Sequence, residues 1–133
     1  MDEEIRLIGT VCGAPQAFNE KNGTTRALIK LATSRANYRP GGDRQYVSTW
    51  WHVRAVGVRA KYILDHVKSG DLVLIKGYMQ PDEGGNPKIW HAEDGSAQAR
   101  YDVFCLLIKI IQHRHPPGED VPELLPEEPG MIE

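Results

Sequence analysis

The form of the apolar segments narrows the folds open to this chain more than any other feature. They are short, rich in β-branched and aromatic residues, and separated by turns that carry glycine. Residues 5–11 (IRLIGTV) are the first strand, with Gly9 inside it; a glycine there marks a bulge or tight bend of the kind a small barrel needs. Asn22-Gly23 is a turn signal, and residues 26–33 (RALIKLAT) follow as the second strand. After a Pro-Gly-Gly loop at 38–44, residues 46–58 (YVSTWWHVRAVGV) are a long third strand. Alternation along it puts Trp50 and Trp51 on opposite faces, one inward or against a partner subunit, the other partly exposed.

Only residues 59–67 (RAKYILDHV) have helical spacing, through Ala60, Ile63, Leu64 and Val67. So short a helix cannot stand alone and must cap something. Residues 71–80 and 100–111 read as the fourth and fifth strands. Between them, 81–98 is a long Gly/Pro/Asp-rich connection, either a loop or a projecting hairpin arm, that carries Trp90-His91. Three strands, a short helix and two strands is the order of an all-β, five-stranded oligonucleotide-binding (OB) barrel, although five strands also fit a small SH3-like barrel. A chain of 133 residues with 41% hydrophobic content supports one such domain, placed at 1–112.

The formal net charge of −2 hides an asymmetry. Residues 1–113 hold 15 basic and 12 acidic residues, whereas 115–133 hold six acidic residues and no Lys or Arg. The segment 113–133, rich in Pro and Glu, has the composition of a disordered acidic tail. A mildly basic body with such a tail suits a body that meets phosphates and a tail that must not. Cys12 and Cys105 are isolated and read as reduced thiols of a cytosolic protein. No transmembrane span or secretory signal is visible.

In order along the chain, residues 5–13 (IRLIGTVCG), 27–34 (ALIKLATS), Thr49-Trp50-Trp51-His52 with Gly57, 71–77 (DLVLIKG), and Lys88–Trp90 followed by Gly95 and Arg100-Tyr101 resemble the bacterial and phage single-stranded DNA-binding proteins. Together they span nearly all of 5–111. The resemblance implies binding and protection of single-stranded DNA in replication, recombination and repair, without sequence preference, catalysis, metal or cofactor. It also implies a cytoplasmic, nucleoid-associated protein that forms a homo-oligomer, a tetramer or dimer. Carried over by position, Trp51 and Trp90 match base-stacking tryptophans and Tyr38 lies within a residue of another aromatic position. His52 matches a histidine near a subunit interface. The chain departs from the family in four places. Val56 stands where the family has a stacking Phe, in a stretch one residue shorter. Trp50 replaces an acid. Residues 81–87 look like an insertion. The tail, which in the family recruits replication and repair proteins, ends here on Met131-Ile132-Glu133 without the family's Phe.

Holding single strands without reading them needs a basic track for the backbone and flat faces for unstacked bases. The aromatic candidates are Trp51, Trp90, Tyr38 and Trp50. Arg35, Arg39, Arg44, Arg54 and Lys88 lie near them in sequence, and Lys30 and Lys76 sit on strands. Periodicity alone leaves Trp51 equally a core residue or a stacking platform; the resemblance favours stacking. The five histidines are scattered, and no phosphate-binding loop or nucleophile elbow occurs. Two other readings share the barrel: a primosomal replication protein, and a protein–protein adaptor that uses the tryptophans as anchors.

Overall fold

Period-2 alternation carries the core. On β1 (Ile5–Val11), β3 (Thr25–Tyr38), β4 (Arg44–Val56) and β5 (Leu72–Met79) alternate side chains point inward, and on β7 (Ala97–Gln112) the alternation slips at an irregularity between Cys105 and Leu107. The inward set is Leu7 and Val11, Ala27, Ile29 and Leu31, Val53 and Ala55, Val73 and Ile75, and Val103 and Cys105. The computed structural model describes residues 3–19, 21–38 and 40–114. The acidic-tail expectation for 115–133 and the position of Arg39 lie outside the described residues.

The five strands close into a ring. β1 pairs antiparallel with β5, β5 with β7, and β3 with both β4 and β1, while β4 and β7 run parallel. This is the expected OB barrel, with the helix between its third and fourth barrel strands. Two further short strands are hairpin extensions of the ring. β2 (Gln16–Asn19) pairs with β3 across the Asn22-Gly23 turn, and β6 (Lys88–His91) pairs with the start of β7. The 81–98 connection is thus the arm rather than a plain loop. β2 carries no buried residue, so no apolar alternation betrays it in the sequence.

The second strand runs five residues past its expected end, to Tyr38. Full cross-strand pairing from Arg26↔Val56 to Tyr38↔Arg44 makes β3 and β4 one long ribbon that overshoots the barrel. Gly9 sits where β1 crosses from β5 to β3. A Cβ there would run into the backbone carbonyl of Ala32, so only glycine allows the close approach.

The third strand ends at Val56, not Val58. Gly57 takes φ +65°, and α1 (Gly57–His66) begins there. Ala60 and Ile63, with Val67 just past the helix end, form one buried row against the core. At the far end of β7, His113 Nδ1 lies 2.9 Å from Asp71 Oδ1, and Arg114 donates to Thr10 Oγ1 at 3.3 Å.

Candidate nucleic-acid interface

β4 has an inner and an outer row. Trp51, Val53 and Ala55 alternate into the barrel; Trp50, His52, Arg54 and Val56 alternate outward. The neighbouring strands extend the outer row. Lys30 of β3 stands across from His52, Leu28 across from Arg54, and on the ribbon Tyr38 stands across from Arg44. On the other side, His52 is paired with Asp102 and Arg54 with Phe104 of β7. The outward face therefore gathers Trp50, Lys30, His52, Arg54 and Asp102, and continues along the ribbon to Tyr46, Arg44 and Tyr38. Tyr38 and Tyr46 are largely exposed, and the Arg44 guanidinium lies 5.2 Å from the Tyr46 ring centre.

Asp102 organises the centre of this face. It is 2% exposed in the middle of β7. Its carboxylate takes Lys88 Nζ and Arg100 Nε at 2.8 Å each, with Arg54 Nη2 at 4.0 Å. Burial pushes the carboxyl pKa up, but the hydrogen bonds and charges of Lys88 and Arg100 outweigh it and hold the group below its ordinary range. Arg100 also lies over the Trp90 ring, 5.4 Å from its centre. The arm is thereby tied to the barrel by a relay from Trp90 through Arg100 to Asp102. An isolated acid in the apolar run of residues 100–108 (RYDVFCLLI) was the sequence signal for this cluster, since a buried carboxylate needs cations.

A cleft of about 420 Å³ flanks the same face, lined by Trp50, His52, Lys30 and Leu28 against the chain at Cys12–Ala14 and Gln16. Trp50 Nε1 and His52 Nδ1 are buried without a hydrogen-bond partner. His52 is held below its ordinary pKa, first by burial and then by the positive charge of Arg100, with Lys30 and Arg54 adding to it against Asp102. It is neutral at pH 7 and titrates inside a field of cations.

The structure thus brings Trp50, Lys30, Arg54, Lys88, Arg44 and Tyr38 to one face, with Trp90 joined to it through Arg100. Trp51 and Arg35 lie on the opposite side of the β3–β4 ribbon. The Trp51 indole packs on the core, donates from Nε1 to Thr33 Oγ1 at 3.0 Å, and meets the Tyr101 ring at 5.0 Å between centres. Arg35 stands across from Val47 on that inner row. Lys76 lies on β5 beside Arg6 and Leu107, away from the cluster. Arg100, Asp102 and Tyr46 join the face without having been singled out from the sequence. Among the described residues no group of three or more His, Cys, Asp or Glu side chains is placed to hold a metal ion. Cys12 and Cys105 form no disulfide, and burial pushes the Cys105 thiol up to about 11.

A closed five-stranded barrel with a basic, aromatic outer face and two projecting hairpins is an oligonucleotide-binding module. The model of the single-strand binding protein family matches residues 2–106, and the chain belongs to that family. Its function is to bind single-stranded DNA. Among solved structures, the chain is similar to the small single-stranded DNA-binding protein of Streptomyces coelicolor, with TM-score 0.65 and 17% identity over 81% of this chain and 93% of that one. It is likewise similar to a deletion variant of the single-stranded DNA binding protein from Thermus aquaticus, with TM-score 0.65 and 20% identity. That match covers 84% of this chain and 51% of the Thermus chain. No curated protein matches the sequence. No described helix is long and apolar enough to cross a membrane.

Proposed function

We propose that single-stranded DNA runs along the outward face of β3, β4 and β7, from the ribbon tip at Tyr38 past Trp50 to the β6–β7 arm at Trp90. The register of β3, β4 and β7 carries this reading, because it puts Trp50 and not Trp51 beside the cations. Trp50, Trp90 and Tyr38 act as stacking platforms, each worth about 1–3 kcal/mol and indifferent to base identity. Lys30, Arg44, Arg54, Lys88 and Arg100 follow the phosphates. Trp51 serves the barrel mouth instead.

The protein works as a homo-oligomer that coats exposed strands during replication, recombination and repair. Large apolar side chains on its outer surface support assembly: Ile8, Leu106, Leu107 and Ile111 are each 44–48% exposed. The domain at 1–112 holds the strand, and within the tail that follows it the acidic residues 115–133 repel phosphate and offer Leu124-Leu125 or Met131-Ile132 to partner proteins. Titration with oligothymidine, followed by tryptophan fluorescence at several salt concentrations, tests the reading. Quenching whose midpoint weakens steeply with salt is expected. Equal or tighter binding to duplex at every salt concentration would overturn it.

A further inference from the structure

Trp50 Nε1 and His52 Nδ1 are both buried, and neither has a hydrogen-bond partner among the described residues. They stand two positions apart on the outer row of β4, so their side chains are neighbours on one face. Both line the same cleft of about 420 Å³. Native interiors hold few such atoms, and each one left unpaired is costly. Two of them in one cleft define the group that fits between them.

Their needs are opposite. An indole N–H can only donate. Burial and the surrounding cations keep His52 neutral at pH 7, and a neutral imidazole carries one N–H and one lone pair. With the proton on Nε2, the lone pair lies at Nδ1. A phosphate oxygen meets the indole but, while His52 is neutral, sets negative charge against that lone pair. A base edge carries donor and acceptor, but a base is held between flat faces. The wall opposite Trp50 is Cys12, Gly13, Ala14 and Gln16, with no ring among them. The ring oxygen of a deoxyribose only accepts. A hydroxyl both accepts and donates from a single atom.

The rest of the cleft suits a sugar. Its far wall is fixed in place, since Cys12 N–H donates to the Lys30 carbonyl at 2.8 Å and Gly13 N–H to Ser69 Oγ at 3.1 Å. Small side chains on that wall leave width for a non-planar ring. Leu28 supplies apolar surface, and Lys30 brings positive charge to the lining. Trp50 itself is half-buried, which leaves indole surface outside the cleft for the base whose sugar enters it.

We infer that this cleft receives the sugar of a ribonucleotide, its 2′-hydroxyl accepting from Trp50 Nε1–H and donating to His52 Nδ1, so that the outward face takes single-stranded RNA in preference to DNA of the same bases. The inference rests on the strand following that face. The 2′-hydroxyl, donor and acceptor at once, is the group by which a protein tells the two polymers apart. A 2′-deoxy sugar still stacks its base and places its phosphate, but it makes neither bond. Trp50 stands where the family has an acid, so the donor is this chain's own.

The test titrates the full chain with end-labelled oligo(rU) and oligo(dU) of equal length, short enough to span one barrel, at about pH 8 and one salt concentration, read by fluorescence anisotropy. Two controls remove half of the pair each. A 2′-O-methyl oligo(rU) keeps the oxygen without its proton, and Trp50→Phe keeps a ring without the N–H; circular dichroism checks that the variant is folded. Oligo(rU) should bind about fivefold tighter than oligo(dU). That ratio, rather than either affinity, is the readout, and it should fall to about one with the methylated strand and in Trp50→Phe. The methylated strand decides alone should the variant not fold. Binding of oligo(dU) as tight as that of oligo(rU) or tighter, or a preference that survives either control, overturns the inference and leaves the strand path standing. Absence of binding to both strands overturns the strand path as well.

Discussion

At the scale of single residues, the two adjacent tryptophans of β4 make opposite predictions. Trp50→Ala removes an outward platform and should weaken single-strand binding by about 1–3 kcal/mol with little change in melting temperature. Trp51→Ala removes an indole that packs on the core and donates to Thr33, and should cost about 2–3 kcal/mol of stability, below the range for a fully buried tryptophan because the ring is only half-buried. Titrations run beside thermal melts separate the two. If Trp51→Ala melts like the parent but binds weakly, the faces have been assigned the wrong way round.

His52 adds a pH dependence. Its folded pKa lies below its unfolded value, so the free protein is more stable above the ordinary histidine range, about 6.5, and loses that contribution as pH falls through the folded value. Asp102 is depressed as well, and its contribution disappears at lower pH, as the solution falls from about 3.9 through the folded value. Bound phosphates would add negative charge beside His52 and raise its pKa again. Strand binding should therefore take up protons and tighten as pH falls toward the ordinary histidine range, and His52→Gln should lose that tightening. A calorimetric titration in two buffers of different ionisation enthalpy measures the uptake directly.

At the scale of elements, the β6–β7 arm is held by charge rather than by apolar packing. Lys88 and Arg100 bond the buried Asp102 carboxylate from the arm, and β6 itself buries no residue. Asp102→Asn leaves the hydrogen-bonding shape but removes the charge that gathers Lys88, Arg100 and Arg54. The carboxylate is fully buried while its partners are about one-third exposed, so the expected cost is about 2–3 kcal/mol, beneath the range for a wholly buried pair. With Arg100 released, Trp90 emission should shift to longer wavelength before any unfolding. An unchanged Trp90 spectrum in Asp102→Asn would show that the arm is held some other way. The sequence could show that a Trp sat in a polar connection, but not that its anchor was an acid twelve residues on.

At the scale of the whole molecule, charge sorts the chain into a basic body and an acidic end. Residues 115–133 share the sign of the phosphate backbone, with six acidic side chains and no Lys or Arg. Deleting them should leave single-strand affinity level or raise it at low salt, with the difference fading as salt screens the competition. A clear fall in affinity would place those residues in the binding surface. In sedimentation at micromolar concentration the intact protein should run heavier than 14.9 kDa, since Leu106, Leu107 and Ile111 on β7 and Ile8 on β1 offer more apolar surface than a lone barrel covers.

The local grammar of this chain was readable from its residues. Alternation along 5–11 and 46–58, the glycine at 9, the Asn22-Gly23 turn and the lone helical stretch set the element types and their order, though not the strand end at Val56, because strand period, turn chemistry and helix spacing depend on neighbours in sequence. That order leads to the barrel. β2 leaves no mark in the sequence because Gln16–Asn19 buries nothing, and the ribbon's full length leaves none because exposed strand has no apolar period. Alternation also showed that Trp50 and Trp51 face apart, but not which of them faces in. That was decided only when β7 ran parallel to β4 and set Val103 beside Val53, Tyr101 beside Trp51 and Asp102 beside His52. Residues about fifty positions apart meet there, and a period of two fixes relative sides of one strand while the choice of the buried side belongs to its partners across the barrel.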